Sequence, residues 1–424
     1  MFYYLFSKLN GVNFFPYYVV TPNIYAIGTA SETLLDVYYK TNKKVLIIKT
    51  SLFSNLLGYK VCNHSFFDKI YKEKFDLNIF DRIFKLIFRI LIEFEFILRR
   101  SFLLIMKNLF KKILNEEMGF PGIGVRDLYN TERYKHNNFH NQNYKSIKKF
   151  YKKKHFNVEL KIDDTKLDQY ELIKRLNNKK YVCIHVRNTN YRKDKNRRSY
   201  RNSKIHNYLT TIKFLIAEGY YVIRLGDTQT DKIDYSHKRF IDHGKSRFSG
   251  GIMDLYLIKN SSFLICTQSG IYDTARLFQK PILITNMVSL FCGPVASENS
   301  RGIFKTIKLN GKKLNIKNYT NLPFYDYLSD YTNARDIQMI ENTPQEIKKA
   351  TKEFLNLIQT NNFKLNNKQK KLNLFLQKKL EHIYNNKIRM KNKSKSDLTQ
   401  RQSLKMVSRF KNYKGSFTNS YLNN

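Results

Sequence analysis

Between residues 181 and 286 the chain alternates short apolar runs with helix-patterned stretches of about ten residues, and no other feature restricts its fold so tightly. YVCIHV (181–186), YYVIRLGD (220–227), SFLICTQSG (262–270) and KPILITN (280–286) read as strands. IHNYLTTIKFLIAEG (205–219), GIMDLYLIKNS (251–261) and IYDTARLFQ (271–279) read as the helices between them, the first stopped by Gly219. Strands separated by single helices of this length run parallel and are joined by right-handed crossovers.

The chain opens in the same idiom. Tyr17 to Val20 is β-rich, Ile27-Gly28-Thr29 predicts a turn, residues 32–40 have helical periodicity and residues 44–49 read as a buried strand. That is a βαβ unit, the building block of an open α/β domain. At 424 residues the chain exceeds what one core organises, which predicts two domains plus extensions. The boundaries expected from composition are a first domain over 1–155, a second over 156–360 and a basic tail over 361–424. The tail holds 16 Lys/Arg against 2 Asp/Glu with many Asn and Gln, the composition of a mobile segment, although an amphipathic helix is expected near 372–380. In contrast, ENTPQEI just before it carries a helix start, with Thr343 as N-cap, Pro344 in the first turn and Glu346 completing a capping box.

Residues 76–114 are basic and apolar, with Asp81, Arg82, Lys85, Arg89, Glu93, Arg99 and Arg100 interrupting the apolar run at helical spacing. Such a helix either packs on its own domain or lies on an anionic membrane surface. Residues 130–155 read as an exposed connector, in which His136, His140 and His155 have no Cys or carboxylate at a metal spacing. The whole chain carries 76 Lys+Arg against 34 Asp+Glu, a net charge of +42 that attracts phosphates, whether of nucleic acid, anionic lipid or nucleotide. Four scattered cysteines (Cys62, Cys183, Cys266, Cys292) predict a reduced, intracellular protein without a structural metal. No apolar run approaches the ~18 residues of a spanning helix, and the N-terminus lacks a signal-peptide pattern.

Chemistry concentrates at the strand ends. Alternation along YVCIHVR puts Val182, Ile184 and Val186 on one face and Cys183, His185 and Arg187 on the other. Open parallel sheets bind ligands outside the carboxyl ends of their strands, where Arg187, Asp227 of RLGD and Ser269-Gly270 of CTQSG all fall. A guanidinium donates two parallel charged hydrogen bonds to phosphate oxygens. Ser269-Gly270 opens a helix, whose N-terminus attracts anions; the alternative is that Ser269 only caps that helix. The sequence lacks a GxxxxGK[ST] loop, GxGxxG, HExxH and a GxSxG elbow. It also lacks an Asp-x-Asp pair, so a diphosphate would be met by Arg and helix ends rather than by a metal.

CIHVRNTNY, SYRNSKIHNYLTTIKFLIAEGYYVIRLGD and MDLYLIKNSSFLICTQSGIYDTARLFQKPILITN, with ENTPQEI further on, resemble a family of bacterial glycosyltransferases. HVR is similar to the His-x-Arg motif of fucosyltransferases acting on chitin oligosaccharides and glycoproteins. The resemblance is strongest over 180–290 and absent from the tail. It implies a GT-B arrangement, two Rossmann-like domains facing a cleft, with acceptor on the first and nucleotide-sugar on the second. It further implies that Arg187 binds the donor diphosphate with His185 in support, Asp227 lies near the nucleotide and Ser269-Gly270 presents N–H groups to phosphate. Tyr200, Arg201 and Asn202 belong to the same donor-side pattern. Those fucosyltransferases tend to follow His-x-Arg with a second Arg, whereas this chain has Asn188, so the resemblance does not extend to fucose or GDP.

An enzyme of this type holds the charge that develops on a departing nucleoside diphosphate while a base deprotonates the acceptor hydroxyl. The acceptor side is expected at the Gly28-Thr29 loop, with Glu32 and Asp36 as base candidates. The resulting expectation is an inverting glycosyltransferase needing no metal or other cofactor. It would serve surface polysaccharide synthesis on a glycan or lipid-linked acceptor, in the cytoplasm or on the inner face of the membrane. Two rivals stand beside it: a basic nucleic-acid-binding protein, although no RRM, KH or helix-turn-helix signature is present, and an inactive scaffold held at a membrane surface by its basic segments.

Overall fold

The computed structural model describes residues 13–14, 17–20, 27–28, 30–31, 34, 44–48, 66, 70–71, 77–91, 93–94, 98, 159–160, 171–188, 199–226, 231–246, 249–288, 298–321, 337–390 and 415–422. The chain divides into two compact units, residues 1–152 with 158–161, and residues 153–157 with 162–424.

In the first unit β2 (Tyr17–Val20) pairs in parallel with β3 (Lys44–Ile47), β1 (Asn13–Phe14) adds to β2 antiparallel, and β4 (Ile70–Tyr71) pairs antiparallel with β5 (Glu159–Leu160). β2 and β3 run parallel, as the βαβ reading required. The intervening helix starts earlier than its periodicity implied: Ile27 and Gly28 are already helical and Gly28 is buried. Ser31 Oγ donates to the Ile27 carbonyl at 2.9 Å, a bond inside a helical turn, so Gly28 is not a loop residue. A helix over residues 79–91, here α1, lays Phe88 against Tyr17, Val19, Leu46 and Ile48. Asp81, on the same face, accepts from Tyr17 Oη (2.8 Å) and Lys44 Nζ (2.7 Å). Burial alone would raise the Asp81 carboxyl, but the Lys44 ammonium, the Asn78 N–H and the Tyr17 hydroxyl together hold it below its ordinary range.

The second unit is Rossmann-like. Its sheet has seven strands, all parallel: β6 (Tyr181–His185), β7 (Tyr221–Leu225), β8 (Phe240–Asp242), β9 (Phe263–Thr267), β10 (Ile282–Met287), β11 (Ser300–Phe304) and β15 (Ser416–Phe417). Their order is β15-β11-β10-β9-β6-β7-β8, with α2 (Glu171–Leu176) preceding β6, and β12 (Thr306–Leu309), β13 (Lys312–Lys313) and β14 (Ile337–Ile340) forming a separate antiparallel sheet in the order β13-β12-β14. The chain thus winds outward from β6 through β7 to β8, then returns to the other side of β6 and winds outward again from β9. On one face α3 (Leu209–Ala217) and α6 (Pro344–Gln359) bury Ile212, Leu215, Ile347 and Phe354 over Val182, Ile184, Val222, Phe263, Ile265 and Leu283. On the other, Cys183 Sγ donates to the Leu257 carbonyl of α4 (Gly251–Asn260), and α5 (Gly270–Leu277) packs on β9 and β10. Coverage of both faces accounts for β9 and β10 being buried at every position.

Helix boundaries follow local chemistry. Gly219 sits at φ 89 just past α3, and its N–H and that of Tyr220 return to the carbonyls of Ile216 and Leu215. Thr343 and Glu346 form the capping box in full.

The C-terminal region departs from the expected tail. Residues Asn367–Met390 form one helix, α7, and residues 415–422 return to the sheet, where Ser416 and Phe417 extend β11. The polar residues that read as mobile supply the fastening: Gln369 Nε2 donates to the Phe417 carbonyl (2.7 Å) and Asn373 Nδ2 to that of Gly415 (2.9 Å). Glu353 accepts the N–H groups of Asn419 and Ser420 at 2.6 and 2.8 Å, an anion at the start of the last helical turn.

Candidate functional site at the sheet switch point

β6 and β9 are neighbours whose outgoing connections run to opposite edges of the sheet. Such a switch point splays the two following loops apart and opens a crevice at the strands' carboxyl ends. His185 and Arg187 leave β6 here, and Gln268, Ser269 and Gly270 leave β9. The expected facing holds, with Val182, Ile184 and Val186 inside the α3/α6 core and Cys183 against α4.

Arg187 is fixed at both backbone ends. Its N–H donates to Thr267 Oγ1 at 2.9 Å, and its carbonyl accepts from the Ser203 N–H at 3.0 Å. The half-buried guanidinium donates through Nη1 to Asn202 Oδ1. Asn202 is held in turn through its carbonyl, which accepts from Lys305 Nζ at 2.6 Å. Lys305 is buried, and its pKa lies below the ordinary lysine value because burial penalises the charge, an effect the Glu341 carboxylate partly offsets.

Ser269 occupies the N-cap position of α5 in extended geometry yet makes no side-chain cap. Its Oγ lies 3.3 Å from His185 Nδ1 instead. The hydroxyl therefore links two strand ends rather than closing its helix, which is the finding against the capping alternative. Asn188 has its Nδ2 buried with no hydrogen-bond partner among the described residues. A buried donor without an acceptor costs on the order of 1–3 kcal/mol.

The rest of the expected set divides. Arg201 is buried, donating through Nε (3.0 Å) and Nη2 to the Gln268 carbonyl, so it clamps the β9–α5 loop. Asn202 orients Arg187, and Tyr200 is half-buried beside them in sequence. Asp227, Thr29, Glu32 and Asp36 lie outside the described residues. Gly28 belongs to the first unit's helix, as above. Sequence reasoning missed Thr267, Gln268, Lys305 and the supporting polar cluster. Gln268 Oε1 accepts from the Val288 N–H at 2.8 Å, and one more lysine in a chain with 76 basic residues gives no signal.

ENTPQEI takes a structural part. Glu341 accepts from the Lys204 N–H (2.9 Å) and Asn207 Nδ2 (3.1 Å), tying down the loop that carries Asn202. Asn342 and Asn286 exchange backbone and side-chain bonds at 2.7 Å each way, with Asn286 at φ 51. Tyr208 Oη joins them to Thr285 at 2.6 Å. Further along the rim, Arg224 pairs with Asp242 at 2.8 Å, and the buried His243 lies between Asp254 (3.2 Å) and Ser246 (3.1 Å). Beside β8 a recess of about 540 Å³ is lined by Lys232, Tyr235, His237, Asp242 and Lys245. Among the described residues no group of three or more His, Cys, Asp or Glu side chains is placed to hold a metal ion.

No protein-family model matches the chain, and no curated protein matches it. Among solved structures it is similar to the E. coli ADP-heptose LPS heptosyltransferase II at 14% identity, covering 48% of this chain and 54% of that one with a TM-score of 0.30. It is similar to the iron-containing dodecameric glycosyltransferase TibC of enterotoxigenic E. coli H10407 at 16% identity, with 43% and 47% covered and a TM-score of 0.26. The TibC heptosyltransferase complex with ADP-D-β-D-heptose gives 16% identity, 43% and 45% coverage and a TM-score of 0.26. The chain spans about half the length of these structures, a likeness too loose to bear on activity.

Proposed function

We propose that the chain is a glycosyltransferase of GT-B type, whose second unit holds the diphosphate of a nucleotide-sugar at the β6/β9 switch point. The observation that carries this reading is the meeting there of Arg187, fixed by Thr267 and Asn202, with an α5 N-terminus that Ser269 leaves uncapped. A guanidinium and uncapped helix N–H groups together suit a diphosphate dianion, and Asn188 Nδ2 is a further donor in want of an acceptor.

In this account Arg187 and the α5 amides stabilise the charge growing on the leaving diphosphate as an oxocarbenium-like centre forms. His185 positions Ser269, Arg201 and Gln268 keep the α5 entrance in place, and Asp227 lies near the nucleotide. The acceptor proton goes to a carboxylate, for which Glu32 and Asp36 are the candidates, and the outcome is inversion without a metal. The acceptor is a glycan or lipid-linked sugar in surface polysaccharide synthesis, placing the protein in the cytoplasm or on the inner face of the membrane.

The test is release of free nucleotide from a panel of nucleotide-sugars. One donor is expected to be turned over, faster with a lipid-linked or glycan acceptor present, and Arg187→Ala should abolish the release. A folded protein that cleaves none of the panel, with or without acceptors, contradicts the reading.

A further inference from the structure

We propose that the outward face of α1 docks the first unit onto an anionic lipid bilayer, lying in the interface rather than crossing it. Of the thirteen large apolar side chains exposed among the described residues, ten belong to this helical stretch: Ile79, Phe80, Ile83, Phe84, Leu86, Ile87, Ile90, Leu91, Phe94 and Leu98. Ile79 is 72% exposed and Phe94 58%, so a contiguous apolar face looks outward where soluble helices put polar residues.

The arrangement around the helix follows from 3.6 residues per turn. Asp81 and Phe88, seven apart, face the sheet; Ile79, Ile83, Leu86 and Ile90 run along the far side; Arg82, Lys85 and Arg89 occupy the flank between. Asp81 and Glu93 are buried and paired, Asp81 with Lys44 and Glu93 with Arg89 at 3.2 Å. Both carboxylates are thus paired inside, Glu93 by Arg89 itself, and the exposed Arg82 leaves a positive charge on the border of the apolar face.

That combination selects the occupant. A second copy would bring the same cationic border into contact, in a chain of net charge +42. An anionic bilayer accepts the apolar side chains among its acyl chains and the cations among its headgroups. No helix among the described residues is long and apolar enough to cross a membrane, and α1 is already anchored on its other face by Phe88. The inference does not depend on the transferase reading, since the helix and its anchoring belong wholly to the first unit.

The chain contains no tryptophan, so Ile87→Trp in the full-length protein is a reporter without background. With phosphatidylcholine vesicles containing phosphatidylglycerol, its emission is expected to shift to the blue and the protein to float. Phosphatidylcholine vesicles alone should give neither, and Ile83→Asp with Ile90→Asp, both at exposed positions, should reduce flotation at least tenfold. A blue shift that grows with protein concentration without vesicles would assign the face to a second copy and overturn the proposal. Flotation with unchanged emission would overturn it in favour of another basic surface, and absence of flotation would overturn it outright.

Discussion

Arg301 and Arg187 both belong to the second unit, one within β11 and the other just past the end of β6, and they are held in opposite ways. Arg301, in β11, is buried, and Nη1 and Nη2 donate to the carbonyls of Glu298, Ser300 and Phe363 at 3.1, 2.9 and 2.8 Å. Burial lowers its pKa to about 10, and it lies 5.7 Å from the Phe363 ring centroid. Arg187 stands half-buried at the rim, its backbone fixed by Thr267 and Ser203 and its Nη1 donating to Asn202 Oδ1. A guanidinium that knits together three carbonyls belongs to the fold. One aimed from a strand end by a neighbouring side chain is, in the account proposed above, the one that meets the diphosphate. Arg201, clamped on the Gln268 carbonyl, falls with Arg301 in this respect even though it adjoins the site.

The contrast can be broken by exchanging the roles in experiment. Arg301→Ala should cost about 3–5 kcal/mol, since it leaves buried carbonyls without donors and opens a cavity. Urea unfolding measures this, and nucleotide affinity of the remaining folded protein should not change selectively. Arg187→Ala should do the reverse: stability within roughly 1 kcal/mol of the parent, and nucleotide diphosphate affinity lower by about 10–100-fold, the range for a lost charged hydrogen-bond pair. If Arg187→Ala unfolds the protein as Arg301→Ala does, the distinction is wrong.

Asn202→Ala sharpens the comparison from the side of support. It leaves Arg187 charged but no longer held, so affinity should fall by up to about tenfold, the value of one hydrogen bond. Titration calorimetry with a nucleoside diphosphate reads it. The smallest effect concerns Lys305, which carries Asn202. Its folded pKa is lowered by burial, so the unfolded chain binds the extra proton more readily. The stability of the parent relative to Lys305→Met should be greatest above the ordinary lysine pKa of ~10.4 and be lost as pH falls toward the lowered value. Paired unfolding curves across alkaline pH check the sign; a difference that grows as pH falls would contradict it.

Much of this was legible in the residues. Short apolar runs and short helices located β6, β7, β9 and β10 and the helices between them, and alternation put Val182, Ile184 and Val186 in the α3/α6 core with Cys183 on the opposite face. Strand order was not legible, because nothing local says that β9 pairs with β6 rather than beyond β8. The switch point, on which the site depends, therefore appears only in the fold. β15 was missed for a different reason: Gln369 and Asn373 look like solvated tail residues until their partners arrive from 48 and 42 positions away. Ser269 was read correctly as lying at a helix start, but its choice of His185 over its own helix is a tertiary contact.

The helix α1 shows the same limit from the other side. Its sequence permitted either a packed or an interfacial helix, and the structure gives it one packed face and one apolar face exposed.

The most direct measurement is ligand-observed NMR on the full-length protein with GDP, UDP, ADP, dTDP and CMP, repeated on Arg187→Ala at moderate salt. The account predicts that one nucleotide is bound selectively by the parent and lost from the variant. Equal, weak binding of all five, unchanged by Arg187→Ala, would reduce the site to general attraction between a chain of charge +42 and phosphate, and would contradict the account.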